Sequence, residues 1–304
     1  MKEAFAARST GIAHFQVYDR AELDRRATEI DVLVVSGLWH NGLLQITPRL
    51  RWVQSIGAGY DQFPLPELKA RGIRLTRAYG VNRNAVAEHA FALILALSRQ
   101  LHYCRDNQRK HVYRQMISDV SRREDELAGK TLGIIGLGHI GSRVAELGKA
   151  FNMRVVATKR NPATYRGPAD LVVTPDRTDE VAREADFLVL NCPLTPETRG
   201  LINARTLGLM KRSAFLVNVA RGGCVDEQAL LAALRDNRIA GAALDHFSED
   251  PLPAASPFWD LDNVIVTPHT AGETRKYEEN VIDILLENLS RLERGQTALL
   301  HEVV

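Results

Sequence analysis

Short apolar runs alternate with amphipathic stretches along most of this chain. Asp31–Ser36 reads DVLVVS, a buried strand; Leu50–Ile56 reads as a second and Gly72–Thr76 as a third. Around them, the first ten residues pattern as a short helix, Ile12–Tyr18 as a strand and Ala21–Thr28 as an amphipathic helix. The second strand ends in Gly57-Ala58-Gly59, a loop with its backbone bared. This is a small α/β unit. A long helix follows over Asn84–Arg99, with Ala85, Ala87, Ala90, Leu93, Ile94 and Leu97 apolar. Arg105–Glu126 is polar and charged without a clear period, and reads as a crossover or partner-contacting segment.

From Thr131 the rhythm changes to strict β–α alternation. Strands are predicted near 131–135, 153–157, 169–173, 186–191, 214–219, 240–245 and 263–267, with helical stretches between most of them. Asp226 supplies the cap of a helix that runs through Arg235. Such alternation predicts an α/β fold with a parallel, doubly wound sheet. A final helix, Thr274–Arg294, comes after that sheet is complete.

The first predicted strand of this series breaks into Gly136-Leu137-Gly138-His139-Ile140-Gly141, after which Val144, Ala145, Leu147 and Gly148 continue with helical spacing. Strand, G-x-G-x-x-G and helix in that order form the dinucleotide fingerprint. Gly136 allows the tight turn, Gly138 lets the backbone approach a pyrophosphate, and Gly141 allows close packing of helix on strand. The helix N-terminus offers N–H groups to the anion.

Composition narrows the partners. A net charge of +2, with no dense Lys/Arg block, gives no reason to invoke nucleic acid. Cys104, Cys192 and Cys224 are far apart and form no CxxC pair, so neither a disulfide framework nor a metal site is expected. No secretory pattern opens the chain, and the longest apolar run, Ala90–Leu97, is too short for a bilayer. A cytoplasmic protein is the expectation.

Ligands of open parallel sheets bind beyond the carboxyl ends of the strands. Three reactive groups directly follow predicted strands there. Arg221 follows Phe215–Val219, Asp245 with the pair Glu249-Asp250 follows Ala240–Leu244, and His269 follows Val264–Thr267. Singly, each has an ordinary structural explanation as a salt-bridge partner, a solvated turn or a cap. Together, at the ends of successive strands of a nucleotide-binding sheet, they read as one site.

These residues resemble the D-isomer-specific 2-hydroxyacid dehydrogenases. The resemblance is carried by GLGHIG, NCPLTPETRGLIN, NVARGGCVDEQAL, ALDHFSEDPLP and TPHTAG in that order, and by SIGAGYD and NRNAVAEHA before them. It implies a Rossmann nucleotide domain over 99–271 and a smaller, discontinuous, flavodoxin-like substrate domain over 1–98 with 272–304. It also implies a cleft between the two and a homodimer joined through the nucleotide domain. Carried over by position, Arg221 holds the carboxylate and carbonyl of a 2-keto acid. His269 is the general acid and base, and Asp250 keeps its imidazole protonated and oriented. Backbone N–H groups of Ala58 and Gly59 take the other end of the carboxylate. Cofactor contacts are implied at Gly136, Gly138, His139, Ile140, Gly141, Cys192, Pro193, Thr198, Val219, Ala220, Asp245 and His269. No metal is implied.

Two departures stand out. The family's catalytic acid, just before the proline of the ALD…EPLP motif, is usually Glu; here it is Asp250, one methylene shorter, behind Glu249. A direct or water-borne pairing with His269 is expected to survive. The family also usually opens with a strand before its first helix, which this chain lacks, so the substrate domain is expected to miss an edge strand. The cofactor shows a third peculiarity. NAD-binding folds end their second strand in Asp or Glu, about 20 residues past the glycines, to accept from the ribose 2′-OH. Here the strand runs into Thr158-Lys159-Arg160-Asn161. Lys159 and Arg160 attract a 2′-phosphate, so NADP is expected over NAD.

The leading reading is an NAD(P)-dependent oxidoreductase of small 2-keto and 2-hydroxy acids, with glyoxylate and hydroxypyruvate as class members. Formate or phosphite dehydrogenation on the same scaffold is one alternative, although formate enzymes usually carry Gln where Asp250 stands. A nucleotide-sensing, corepressor-like module without turnover is another. Trp39, Tyr60 and Trp259 are the aromatic candidates for cleft walls.

Overall fold

A computed structural model describes residues 1–304, the side chain of Ser121 apart. The chain divides into two compact units, Met1–Asn82 with Thr274–Val304, and Arg83–Glu273.

The first unit begins with α1 (Lys2–Ala6) and α2 (Arg20–Arg25), the latter capped by Asp19, whose side chain accepts from the Glu22 N–H. β1 (Val32–Val35), α3 (Leu43–Ile46), β2 (Trp52–Ser55), α4 (Leu65–Ala70) and β3 (Arg74–Arg77) follow. The strands form a parallel sheet in the order β1-β2-β3. Parallel strands must be covered on both faces, and the fully buried β2 fits that rule. The strand expected over Ile12–Tyr18 is not formed. Those residues run as irregular chain, with Phe15 and Val17 packed on the core of this sheet and the Arg26 guanidinium 3.4 Å over the Phe15 ring. Alternation there marks an inward face, but a strand also needs a paired neighbour.

The second unit opens with α5 (Arg83–Ser98), then α6 (Leu101–Arg109). A seven-stranded parallel sheet follows in order β10-β9-β8-β7-β4-β5-β6. Its strands are β4 (Thr131–Ile135), β5 (Arg154–Thr158), β6 (Leu171–Val173), β7 (Phe187–Leu190), β8 (Phe215–Asn218), β9 (Gly241–Leu244) and β10 (Val264–Val266). The connecting helices are α7 (His139–Ala150), α8 (Thr178–Glu184), α9 (Ala204–Leu209) and α10 (Glu227–Arg235). α7 buries Gly141, Val144, Ala145 and Gly148, the i, i+3, i+4, i+7 stripe that seats a helix on a sheet. Asn203 and Asp226 cap α9 and α10 with their side chains.

α5 is apolar nearly all round, burying Val86, Ala87, Ala90, Phe91, Leu93, Ile94 and Leu97. That surface shares one core with α7 and the sheet residues Leu132, Ile134, Val217 and Ala243. The compact units divide before Arg83 and after Glu273, whereas the seams expected from the sequence lie after 98 and 271. Periodicity identifies the helix and its length; which unit it joins depends on the surface that accepts an all-round apolar cylinder.

The chain then returns to the first unit with α11 (Tyr277–Glu293), which packs with Phe5, Trp52 and Leu299. The C-terminal tail completes the sheet edge. Leu75 N–H donates to Val304 O at 2.7 Å, Val303 N–H to Leu75 O at 2.8 Å and Arg77 N–H to His301 O at 3.2 Å. These bonds cover the exposed ladder of β3, which otherwise invites pairing with another chain. No helix among the described residues is long and apolar enough to cross a membrane.

Candidate active site

The chain winds β4, β5, β6 outward on one side, then returns to β7 and continues through β8, β9 and β10 on the other. The switch point lies between β4 and β7, where open α/β sheets leave a crevice. Gly136 closes β4 with φ +102°, a conformation L side chains rarely adopt, and a Cβ there would lie 2.8 Å from the Cys192 backbone nitrogen. The bare turn and the start of the β7 loop thus touch. Gly138 heads α7 with no side-chain cap, so that helix end stays open to an anion. At the same crevice both amide atoms of Asn191 are buried without a hydrogen-bond partner. An open helix end, a cradle that any side chain would fill and an unpaired buried amide fit a dinucleotide.

Past β5, Lys159 is partly buried and its ammonium donates to Leu137 O at 3.0 Å, over the glycine turn; Arg160 is exposed. The hydroxyl of Thr198 donates to Pro193 O and accepts from the Thr195 N–H, both at 2.7 Å, so it shapes the β7 loop. Cys192 is buried beside Cys224, and that contact together with burial pushes its thiol well above the usual range. Val219 and Ala220 are buried at the end of β8.

The three reactive groups follow β8, β9 and β10. Arg221 ends the β8 turn, where Asn218, itself buried, donates to Arg221 O at 3.1 Å and accepts from the Ala220 N–H at 3.0 Å. Gly222 lets the β9 loop come close, since a Cβ there would sit 1.9 Å from the Phe247 carbonyl carbon. His269 lies three residues beyond the end of β10 and itself adopts φ +56°, and its Nδ1 is 2.5 Å from Asp250 Oδ2. Both side chains are about half exposed, 49% and 50%. Glu249, the neighbouring acid, makes no such contact with His269.

Asp245 is the hub that holds this geometry. It is almost fully buried and accepts from Thr267 Oγ1 at 2.6 Å, Thr270 N–H at 3.0 Å and Ala271 N–H at 3.1 Å. Those bonds tie the end of β9 to the loop that carries His269. His89 of α5 adds a ring nitrogen 3.1 Å from Thr267 Oγ1.

His246 is the site residue that sequence reasoning missed. It is 8% exposed, and its ring centroid lies 3.9 Å from that of His269, with the planes at 60°. Burial pushes it down to about 4, with the charges of His269 and Arg221 acting the same way and those of Asp245 and Asp250 opposing. It is therefore neutral near pH 7, and it shares surroundings with every charged member of the site. Its signal in the sequence is a histidine directly after Asp245, in ALDHF, between acids on either side.

In the first unit, the GAG loop is anchored by its carbonyls. Gly57 O accepts from Ala78 N–H at 3.1 Å, and the Ser55 hydroxyl lies 3.3 Å from Gly57 O and 3.4 Å from Gly59 O. The aromatic candidates divide: Trp39 is buried and donates to Asn41, while Trp259 is half exposed and donates to Pro253 O. Among the described residues, no group of three or more His, Cys, Asp or Glu is placed to hold a metal ion.

Residues 91–271 match the model of the D-isomer specific 2-hydroxyacid dehydrogenase family, NAD binding domain. The chain is 38% identical to a glyoxylate reductase of Pyrococcus furiosus over 91% of its own length and 83% of that protein's. An acyclic imino acid reductase solved in complex with NADPH and D-Arg matches with TM-score 0.84 at 27% identity, over 99% of this chain and 95% of that one. A D-lactate dehydrogenase of Aquifex aeolicus, complexed with NAD and lactic acid, matches with TM-score 0.79 at 30% identity, over 97% and 91%. With the glycine turn at the switch point and Arg221, Asp250 and His269 on the carboxyl edge, the chain belongs to the D-isomer specific 2-hydroxyacid dehydrogenase family, as a nicotinamide-dependent oxidoreductase acting on a CH–OH group.

Proposed function

We propose that the enzyme reduces small 2-keto acids, glyoxylate and hydroxypyruvate among them, with NADPH preferred to NADH. The observation that carries this reading is the direct His269–Asp250 contact on the edge that also presents Arg221. When bound, the nicotinamide supplies the hydride. The planar fork of Arg221 grips the carboxylate and carbonyl of the acid by two charge-assisted hydrogen bonds. His269, its Nδ1 engaged by Asp250, has Nε2 left to give a proton to the carbonyl oxygen, and to take it back in oxidation. Positioned proton transfer of this kind contributes about 10²–10⁴ in rate. In the first unit, the N–H groups of Ala58 and Gly59 are the proposed partners of the substrate carboxylate.

Two cations past β5 and no acid support the cofactor preference. Lys159 uses one of its three protons on Leu137 O and keeps two for a phosphate. A homodimer is proposed from α6 and the segment after it, where Leu101, Val112, Tyr113, Met116 and Val120 are exposed apolar residues. A cytoplasmic location completes the reading. The test is NADPH consumption at 340 nm with a panel of 2-keto acids. Turnover of glyoxylate or hydroxypyruvate, abolished in His269→Ala, is the expected result. Absence of turnover with the whole panel overturns it.

A further inference from the structure

We propose that Arg77 is the positioning residue of the carboxylate loop, setting the peptide plane between Ala58 and Gly59. The inference rests on the reading of Ala58 and Gly59 as carboxylate donors. Arg77 ends β3, is partly buried, and donates from Nη1 to Ala58 O at 3.3 Å. Its guanidinium lies 4.4 Å from the Tyr79 ring centroid and 5.2 Å from that of Tyr60, within the range of cation–π attraction. Its own backbone N–H is held by His301 O at 3.2 Å, in the C-terminal tail. Charge, ring stacking and backbone pairing therefore hold this side chain in one place.

The consequence follows from peptide geometry. A trans peptide is planar, with its C=O and N–H pointing opposite ways. Because Ala58 O turns to Arg77, Gly59 N–H turns to the other face of the loop. Because Gly57 O turns to Ala78 and Ser55, Ala58 N–H turns away from them. Neither N–H donates to any backbone or side-chain group among the described residues. Two successive amides held open by their anchored carbonyls make a nest for an anion. Arg77 adds a positive charge at the carbonyl end of the second peptide, which favours a negative group at its N–H end. Lysine can keep that charge but cannot stack or fork in the same way.

The experiment compares glyoxylate with methyl glyoxylate, which lacks the carboxylate charge, in wild type, Arg77→Met and Arg77→Lys. Wild type is expected to prefer the acid. In Arg77→Met, KM for glyoxylate rises about tenfold, while kcat, KM for NADPH and KM for the ester stay within about twofold. Arg77→Lys falls between and carries the test should the methionine variant not fold. A merely structural role would move the ester and the cofactor along with the acid. Equal acid-over-ester discrimination in wild type and both variants overturns the role of Arg77. A wild type that does not discriminate overturns the carboxylate reading of the loop, and the inference with it.

Discussion

The Nδ1 of His269 lies 2.5 Å from a carboxylate oxygen of Asp250, so the shorter acid of this chain reaches its histidine without a bridging water. His269 sits at φ +56° in a loop that Asp245 ties to the end of β9.

Replacing Asp250 by Asn therefore removes both orientation and charge. Turnover is expected to fall roughly 10²-fold. Steady-state kinetics with glyoxylate and NADPH check this. Wild-type turnover would remove Asp250 from the mechanism.

The cofactor preference is testable at one side chain. In Lys159→Glu the ammonium over the glycine turn becomes a carboxylate, able to accept from a ribose 2′-OH and repelling a 2′-phosphate. KM for NADPH should rise about tenfold or more, with KM for NADH unchanged or lower. A wild-type enzyme that prefers NADH would already defeat the assignment.

His246 makes the fold sensitive to acid. Its pKa is near 4 in the folded chain and near 6.5 when unfolded, so above that range it is neutral in both states and costs nothing. As pH falls from about 6.5 towards 4, the unfolded chain binds a proton that the folded one refuses, and stability is lost. The full shift corresponds to roughly 3 kcal/mol. His246→Phe keeps a ring against His269 but cannot titrate. Its urea midpoint should therefore fall less between pH 7 and pH 4.5 than that of wild type. Parallel declines would show that His246 is not the group responsible.

Much of this architecture is legible along the chain because its rules are local. All seven strands of the large sheet fall within a few residues of their apolar runs, and Asp226 caps its helix through its own side chain. The glycine turn is equally local, since Gly136 must adopt a positive φ wherever the strand ends. Ile12–Tyr18 marks the limit: its alternation names an inward face, and no neighbouring strand was there to pair with it.

Three things could not be read in this way, because each depends on partners distant along the chain. The company kept by α5 was decided by which core could surround an all-round apolar helix. The cover of β3 came from the last four residues, some 225 positions further on, through backbone bonds that no side-chain pattern encodes. The close, tilted contact of His246 with His269 arises where the loops after β9 and β10 are drawn together by the buried carboxylate of Asp245. Residue order is enough to say which groups leave the sheet at its carboxyl edge. Their distances, and the burial that keeps His246 neutral, exist only once hydrogen bonds have closed those loops on each other.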